Sequence, residues 1–251
     1  MKVFIAGGTS GIGLALAKRY LEQGAEVAVC GRDLTKMSAY SWTHSLKSFE
    51  VDVCQLNSLQ DAVSTFCAHS SLDLFINCTG SYADDVAQQI SYQDAVAMLQ
   101  VNMMGTINCF EAARMVMRGQ SEGQIAIVAS VSGTLHFPNS SLYSKTKRAA
   151  IQVADAYRRA LQPYGIAVTV IAPGYVDTDK LRALNKQDLS KKPFLIPVDD
   201  AAQRIMAAIE QKKKQVVFPK RMKWLMASLG LLPNIVLNKI MSRKAKWMKN
   251  D

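Results

Sequence analysis

The 251-residue chain has few cysteines, no long apolar run in its tail and, over its last 41 residues, almost no acid. The five cysteines (Cys30, Cys54, Cys67, Cys78, Cys109) are odd in number and scattered, and none forms a C-x-x-C spacing with partnering histidines. A disulfide framework and a zinc site are therefore not expected, and a reducing compartment fits. Met1-Lys2 passes directly into Val3-Phe4-Ile5, which leaves no room for a signal peptide, so the product is expected to stay in the cytoplasm. Residues 1 to 210 hold 19 basic and 19 acidic side chains, with no basic surplus to lay along a nucleic-acid face. What is present is a 49% apolar composition, enough for one large domain with a substantial core.

Strand and helix patterns alternate along the chain. Lys2 to Ala6 is a short buried strand, Gly7-Gly8-Thr9-Ser10-Gly11-Ile12-Gly13 a glycine turn, and Leu14, Ala17, Tyr20 and Leu21 recur at helical spacing. Glycines at a strand-to-helix junction let backbone approach a pyrophosphate, which the N–H groups of the helix start then hold. Glu26 to Cys30 is a second strand, followed by Gly31-Arg32-Asp33 where an adenosine ribose would lie. No acid stands at Gly31 to repel a 2′-phosphate and Arg32 offers a guanidinium, which favours NADP(H) over NAD(H). On the opposing reading, Arg32 is a surface charge partly cancelled by Asp33.

Phe49 to Val53 reads as the third strand, with Asp52 either accepting from an adenine amino group or capping the following turn. A helix over 58 to 69 and a strand from Leu72 to Ile76 follow, closed by Asn77-Cys78-Thr79-Gly80. Ser91 to Met117 is helical and contains Asn102; Gln124 to Ala129 is the fifth strand, ending in Ser130. The next helix runs from Tyr143 to about Leu161, and Ile166 to Ile171 is an apolar sixth strand leading to Pro173-Gly174-Tyr175-Val176-Asp177-Thr178. Residues 179 to 197 are lysine-rich and weakly patterned, as suits a lid; a helix from Asp199 to Gln211 and a strand from Gln215 to Phe218 complete the body. The expected fold is α/β, a doubly wound parallel sheet (Rossmann-like) forming one domain over 1 to 219, with a helical basic extension over 220 to 251.

Tyr143 and Lys147, four residues apart, share a helix face. A phenol titrates near pH ~10 and is a poor acid or base at neutrality unless a cation stabilises its anion. Lys147 is a candidate for that cation; alternatively Tyr143 packs and Lys147 is a solvated charge. Ser130, thirteen positions earlier, falls at a strand's carboxyl end, where an open α/β sheet places its ligand.

Together these segments resemble the short-chain dehydrogenases/reductases from Lys2 to about Pro219. Ala6 to Gly13 resembles that family's Thr-Gly-x-x-x-Gly-x-Gly, Asn77-Cys78-Thr79-Gly80 its Asn-Asn-Ala-Gly, and Pro173-Gly174 its Pro-Gly turn, with Ala6 and Cys78-Thr79 as departures. The resemblance implies a catalytic tetrad of Asn102, Ser130, Tyr143 and Lys147. Hydride would pass between NADP(H) and a small-molecule carbonyl or secondary alcohol, with Tyr143 exchanging the proton, Ser130 bonding the substrate oxygen, and Lys147 holding the ribose and lowering the Tyr143 pKa. Asn102 would link Lys147 to solvent through a water. The implied cofactor contacts are Gly7, Thr9, Ser10, Gly11, Ile12, Gly13, Arg32, Asp52, Val53, Asn77, Gly80, Tyr143, Lys147, Pro173, Gly174, Val176 and Thr178, with no metal. Homo-oligomers pairing through helices 91 to 117 and 143 to 161 are also implied. A different class of function, a non-catalytic NADP(H)-binding sensor or scaffold anchored by the tail, is disfavoured by the intact tetrad. Leu135, His136 and Phe137 either line the substrate pocket or pack.

Residues 211 to 251 hold 11 basic side chains and only Asp251 as acid. Met222 to Leu232 is apolar nearly all round, and Pro233 breaks it. Asn234 starts a second helix with Leu237, Ile240, Met241 and Met248 on one face, Lys239, Arg243 and Lys246 on another, and Trp224 and Trp247 near the ends of the tail. Neither half reaches the roughly 20 apolar residues that span a bilayer. Two readings stand: peripheral contact of 221 to 249 with an anionic membrane, which would imply a lipophilic substrate, or packing on the body or another subunit.

Overall fold

A computed structural model describes residues 1–68, 70–83 and 90–247, with side chains through residue 240. Seven parallel strands form one sheet in the order β3-β2-β1-β4-β5-β6-β9. They are β1 (Lys2–Ala6), β2 (Glu26–Gly31), β3 (Lys47–Glu50), β4 (Leu74–Asn77), β5 (Gly123–Val128), β6 (Ile166–Pro173) and β9 (Gln215–Phe218); β7 (Val176–Asp177) and β8 (Ile196–Pro197) pair separately. The helices are α1 (Gly11–Glu22), α2 (Leu56–Cys67), α3 (Tyr92–Leu99), α4 (Gly105–Gln120), α5 (Leu142–Leu161), α6 (Asp179–Leu184), α7 (Val198–Glu210), α8 (Lys220–Gly230) and α9 (Asn234–Trp247).

From β1 the chain winds outward to β3, then crosses back through α2 to β4 on the other side of β1. Strand order reverses between β1 and β4, and their carboxyl ends open the crevice in which such sheets bind ligands. Val3, Phe4, Ile5 and Ala6 are wholly buried because helices cover both faces of a parallel sheet. One core lies under α2, α4 and α5, the other under α1 and α7. In the first, Phe4 and Phe75 stack at 5.4 Å between ring centroids, and each such ring contributes roughly 1.5–3 kcal/mol by burial.

Several element bounds differ from the expectation. The third strand is Lys47–Glu50, since after Val51 the chain turns and Asp52 is already bonding the backbone N–H of Cys54. The fourth strand starts at Leu74 rather than Leu72, and the fifth spans Gly123–Val128. The helix expected over 91 to 117 is broken by a π-helical turn at Gln100–Met104, a widening that recurs at functional sites. The 179 to 197 segment contains α6 and β8 as well as loop.

The tail folds back on the body. Met222, Met226 and Leu229, at i, i+4 and i+7 of α8, form its inner stripe: Met222 is buried near Gly174, and Met226 and Leu229 join Leu232 against buried Leu135, Phe137 and Leu237. Leu135 and Phe137 thus pack beneath the tail rather than facing a substrate, and His136 is exposed. Ile240 is 42% exposed, so the face expected to unite it with Leu237 is only partly covered. Residue Met248, and the side chains of Met241, Arg243, Lys246 and Trp247, lie outside the described residues. Among the described residues no helix is long and apolar enough to cross a membrane.

Candidate active site

The crevice begins at the turn between β1 and α1. Gly7 takes φ +74°, and a Cβ at Gly13 would stand 2.2 Å from the Gly7 carbonyl oxygen, so only glycine lets α1 start this close to the turn. Ser10 caps α1 by backbone geometry alone, its side chain making no capping bond, and the turn has Thr9 nearly buried within it. The N–H groups and dipole of the α1 start form an anion cradle. Replacing the expected threonine by Ala6 leaves this turn braced through backbone: Gly7 and Gly8 donate to the Cys30 carbonyl at 2.9 and 3.3 Å, and Cys78 donates to Ala6 at 2.8 Å.

At the end of β2, a Cβ on Gly31 would meet Thr9 Oγ1 at 2.8 Å, so the place of a ribose-binding acid is sterically closed. Arg32 is exposed and has no ion pair among the described residues. Asp33 makes no ion pair with it among the described residues: its carboxylate accepts from Thr35 N at 3.0 Å and Thr35 Oγ1 at 2.5 Å, and pairs with Lys36 at 3.5 Å. Asp52 accepts from Cys54 N at 2.9 Å, the turn-capping duty, with buried Val53 beside it.

On the far side of β1, Asn77 is buried and its Oδ1 accepts from Thr79 N (2.8 Å) and Thr79 Oγ1 (2.6 Å). The hydroxyl introduced at Thr79 therefore has a partner inside the turn. This turn leads to Gly80, which approaches both Lys147 and Asn102: a Cβ there would lie 3.0 Å from Lys147 Nζ and 3.6 Å from Asn102 Oδ1. Across the crevice, Gly174 donates to the Phe218 carbonyl at 2.8 Å, holding the Pro173-Gly174 turn to β9. Val176 is buried, and Thr178 caps α6 by accepting from Leu181 N at 3.2 Å while its methyl faces Gly11. The Ile12 side chain packs partly buried into the core under α1 and α7, and its backbone belongs to the first turn of α1.

Asn102, Ser130, Tyr143 and Lys147 converge here. The π turn carries Asn102 inward, where Oδ1 accepts from Ser81 N (2.8 Å) and Nδ2 donates to Ser81 O (2.9 Å) and Thr146 Oγ1 (3.0 Å). Ser141 caps α5 by accepting from Ser144 N at 3.1 Å, which puts Tyr143 in the first turn of that helix. The Ser130 hydroxyl lies close enough to the Tyr143 phenol to favour its ionised form, and accepts from Ser132 Oγ at 2.9 Å. One turn on, buried Lys147 donates to Val128 O (3.3 Å) and Thr79 O (3.4 Å), with Nζ 6.0 Å from the Tyr143 ring centroid.

Burial shifts both ionisable members of this pair. Burial raises the Tyr143 phenol above its ordinary value; the bond to Ser130 opposes this and nearby Tyr175 adds to it. Lys147 Nζ lies over the Tyr143 ring and is turned toward two carbonyls. Burial first, and then Lys180, lower Lys147 to about 8. Burial thus keeps the phenol protonated at neutrality, the form in which reduction needs it, and makes it by itself a weaker acid than free tyrosine.

Three further side chains reach this site without having been expected there. Tyr82 packs edge-on to Tyr143 at 5.1 Å between centroids. Tyr175 lies close enough to influence Tyr143, and Lys192 stands over the Tyr175 ring at 5.4 Å. Lys180, on α6, donates to the Gly80 carbonyl at 2.8 Å across the crevice. Only the positions of Tyr82 and Lys180, two residues after Gly80 and Thr178, hinted at this; isolated tyrosines and lysines in a polar loop carry no period.

Residues 1–189 match the short chain dehydrogenase family. The chain belongs to the short-chain dehydrogenase/reductase family. An uncharacterized oxidoreductase of Staphylococcus aureus (strain N315) is 31% identical over 216 residues, covering 83% of this chain and 90% of that one. A dehydrogenase/reductase SDR family protein 7-like of Anopheles gambiae is 29% identical over 246 residues, covering 89% and 77%. Among solved structures, a short chain dehydrogenase from Burkholderia cenocepacia J2315 in complex with NADP superposes with TM-score 0.79 at 23% identity over 95% of each chain. ElxO with NADP bound superposes at TM-score 0.76 and 23% identity, over 86% of this chain and 96% of that one. The fold is thus the family's Rossmann-like single domain, and the protein is an oxidoreductase of that family.

Proposed function

We propose that this short-chain dehydrogenase/reductase is an NADP(H)-dependent carbonyl reductase and alcohol dehydrogenase, with Asn102, Ser130, Tyr143 and Lys147 as its working groups. The observation that carries this reading is the Tyr143 phenol beside Ser130, one helical turn from buried Lys147, whose Nζ lies over the Tyr143 ring and bonds the carbonyls of Thr79 and Val128 just after β4 and at the end of β5. The glycine cradle fits a pyrophosphate, and uncommitted Arg32 beside the closed position 31 fits a 2′-phosphate.

When bound, NADPH supplies the hydride received by the carbonyl carbon. Ser130 donates to the substrate oxygen, and Tyr143 gives its proton to the developing alkoxide, or takes it back in oxidation. Lys147 holds the nicotinamide ribose. Asn102 positions the Ser81 backbone and Thr146, keeping the floor of the site fixed. The remaining proposed cofactor contacts are Gly7, Thr9, Ser10, Gly11, Ile12, Gly13, Asp52, Val53, Asn77, Gly80, Pro173, Gly174, Val176 and Thr178.

The apolar inner face of α8 reaches the Pro173-Gly174 turn through Met222, which favours a lipophilic substrate. Exposed Tyr92, Leu99, Met104 and Met115 along α3 and α4 support pairing of two copies there. Five free thiols suit a reducing, cytoplasmic setting. The test is isotopic: with NADPH deuterated at nicotinamide C4 and aliphatic aldehydes and ketones graded in length, deuterium is expected on the carbinol carbon of the product. NADPH binding without label transfer to any carbonyl would instead favour a non-catalytic sensor.

A further inference from the structure

We infer that the outer face of the carboxyl-terminal helix pair is a docking surface for an anionic phospholipid bilayer. Trp224 follows Met222 by two residues, so it lies about 200° around α8 from the stripe that packs on the body, and Leu231 caps the carboxyl end of that helix. They point away from the protein accordingly: Trp224 is 70% and Leu231 87% exposed. At the start of α9, Ile235 is 84% exposed, with Val236 and Ile240 open beside it, while Leu237 is the buried anchor. Five large apolar side chains therefore stand in solvent within two short helices whose opposite face is already satisfied.

Charge identifies the occupant. Lys220, Arg221, Lys223 and Lys239 are all exposed on these two helices. Among the described residues none of them is in an ion pair, and the only acid after Glu210 is Asp251. A second copy would bring the same cations against themselves, and a water-facing surface would not place Trp and Ile at its crest. A phosphate-rich interface satisfies both, taking the apolar crest below the headgroups and the lysines among them. Since Met222 also touches the Pro173-Gly174 turn, docking sets the crevice beside the bilayer; that corollary alone rests on the proposed activity and implies a carbonyl substrate drawn from lipid.

Sedimentation with phosphatidylcholine vesicles, with and without phosphatidylglycerol, tests the surface on the full chain. The wild type is expected to sediment only with the anionic vesicles and to be released by high salt. Trp224→Ser/Leu231→Ser and, separately, Lys220→Glu/Lys223→Glu are each expected to weaken partitioning at least tenfold while NADPH binding, read by fluorescence, is unchanged. Failure of the wild type to sediment, or sedimentation of both variants equal to that of the wild type, would overturn the inference. So would a halving of mass in the serine variant, which would make the face a contact between copies. Failure to bind NADPH would instead strike the proposed function and leave the vesicle result standing.

Discussion

The crevice and the tail use their side chains in opposite ways. In the crevice the polar groups are withdrawn from water and each is matched to partners: Asn77 to Thr79, Asn102 to Ser81 and Thr146, Lys147 to two carbonyls. In the tail, one face is packed and the other presents apolar and cationic groups to solvent. A buried polar group without a partner costs about 1–3 kcal/mol, so identity in the crevice is tightly constrained. An exposed helix face is constrained only in pattern, and its meaning depends on what covers it.

Substitutions can drive the two regions apart. Gly13→Ala should have the largest effect, since its methyl would overlap the Gly7 carbonyl. We expect NADPH binding to be lost and stability to fall by about 3 kcal/mol, or roughly 6–12 °C in Tm by calorimetry. Retention of NADPH affinity would remove the glycine turn from cofactor binding. Leu237→Ala should release the tail alone, costing about 2 kcal/mol locally; limited proteolysis would then cut after β9 while the main unfolding transition stays in place. Arg32→Ala should reduce the preference for NADPH over NADH by about 10- to 100-fold in competitive titration, the worth of a charged hydrogen bond, without touching vesicle binding.

The smallest effect is a pH profile. Lys147 is cationic below about 8 and neutral above it, so kcat/KM for NADPH, which reports the free protein, should decline as pH rises through that value. Alcohol oxidation needs the Tyr143 phenolate, whose pKa is raised, so its rate should instead climb with pH across the same range. A reductive profile flat well beyond 8 would show that the Lys147 charge is not needed.

The sheet and the crevice were legible because glycine turns and buried strands carry periods and spacings that few other structures use. Arg32 was readable as a cation, but that Asp33 is taken by Thr35 and Lys36 was not, because such local bonds depend on the turn adopted. The spacing of Tyr143 and Lys147 correctly placed both on one face. It did not disclose that Lys147 Nζ turns toward Thr79 and Val128, leaving burial to dominate the phenol. Leu135 and Phe137 were ambiguous for a further reason: whether an apolar loop lines a pocket or a helix is decided by a segment almost a hundred residues later. Tyr82, Tyr175 and Lys180 came from aperiodic loops, which sequence pattern does not organise in space.

Comparison of Tyr143→Phe with the wild type, under NADPH and the graded aldehydes and ketones, bears most directly on the chemistry. Loss of turnover by roughly 10²–10⁴-fold, the usual worth of a positioned general acid, with NADPH affinity held within about twofold, is the predicted result. Turnover persisting at the parent rate would contradict it and remove the phenol from proton transfer.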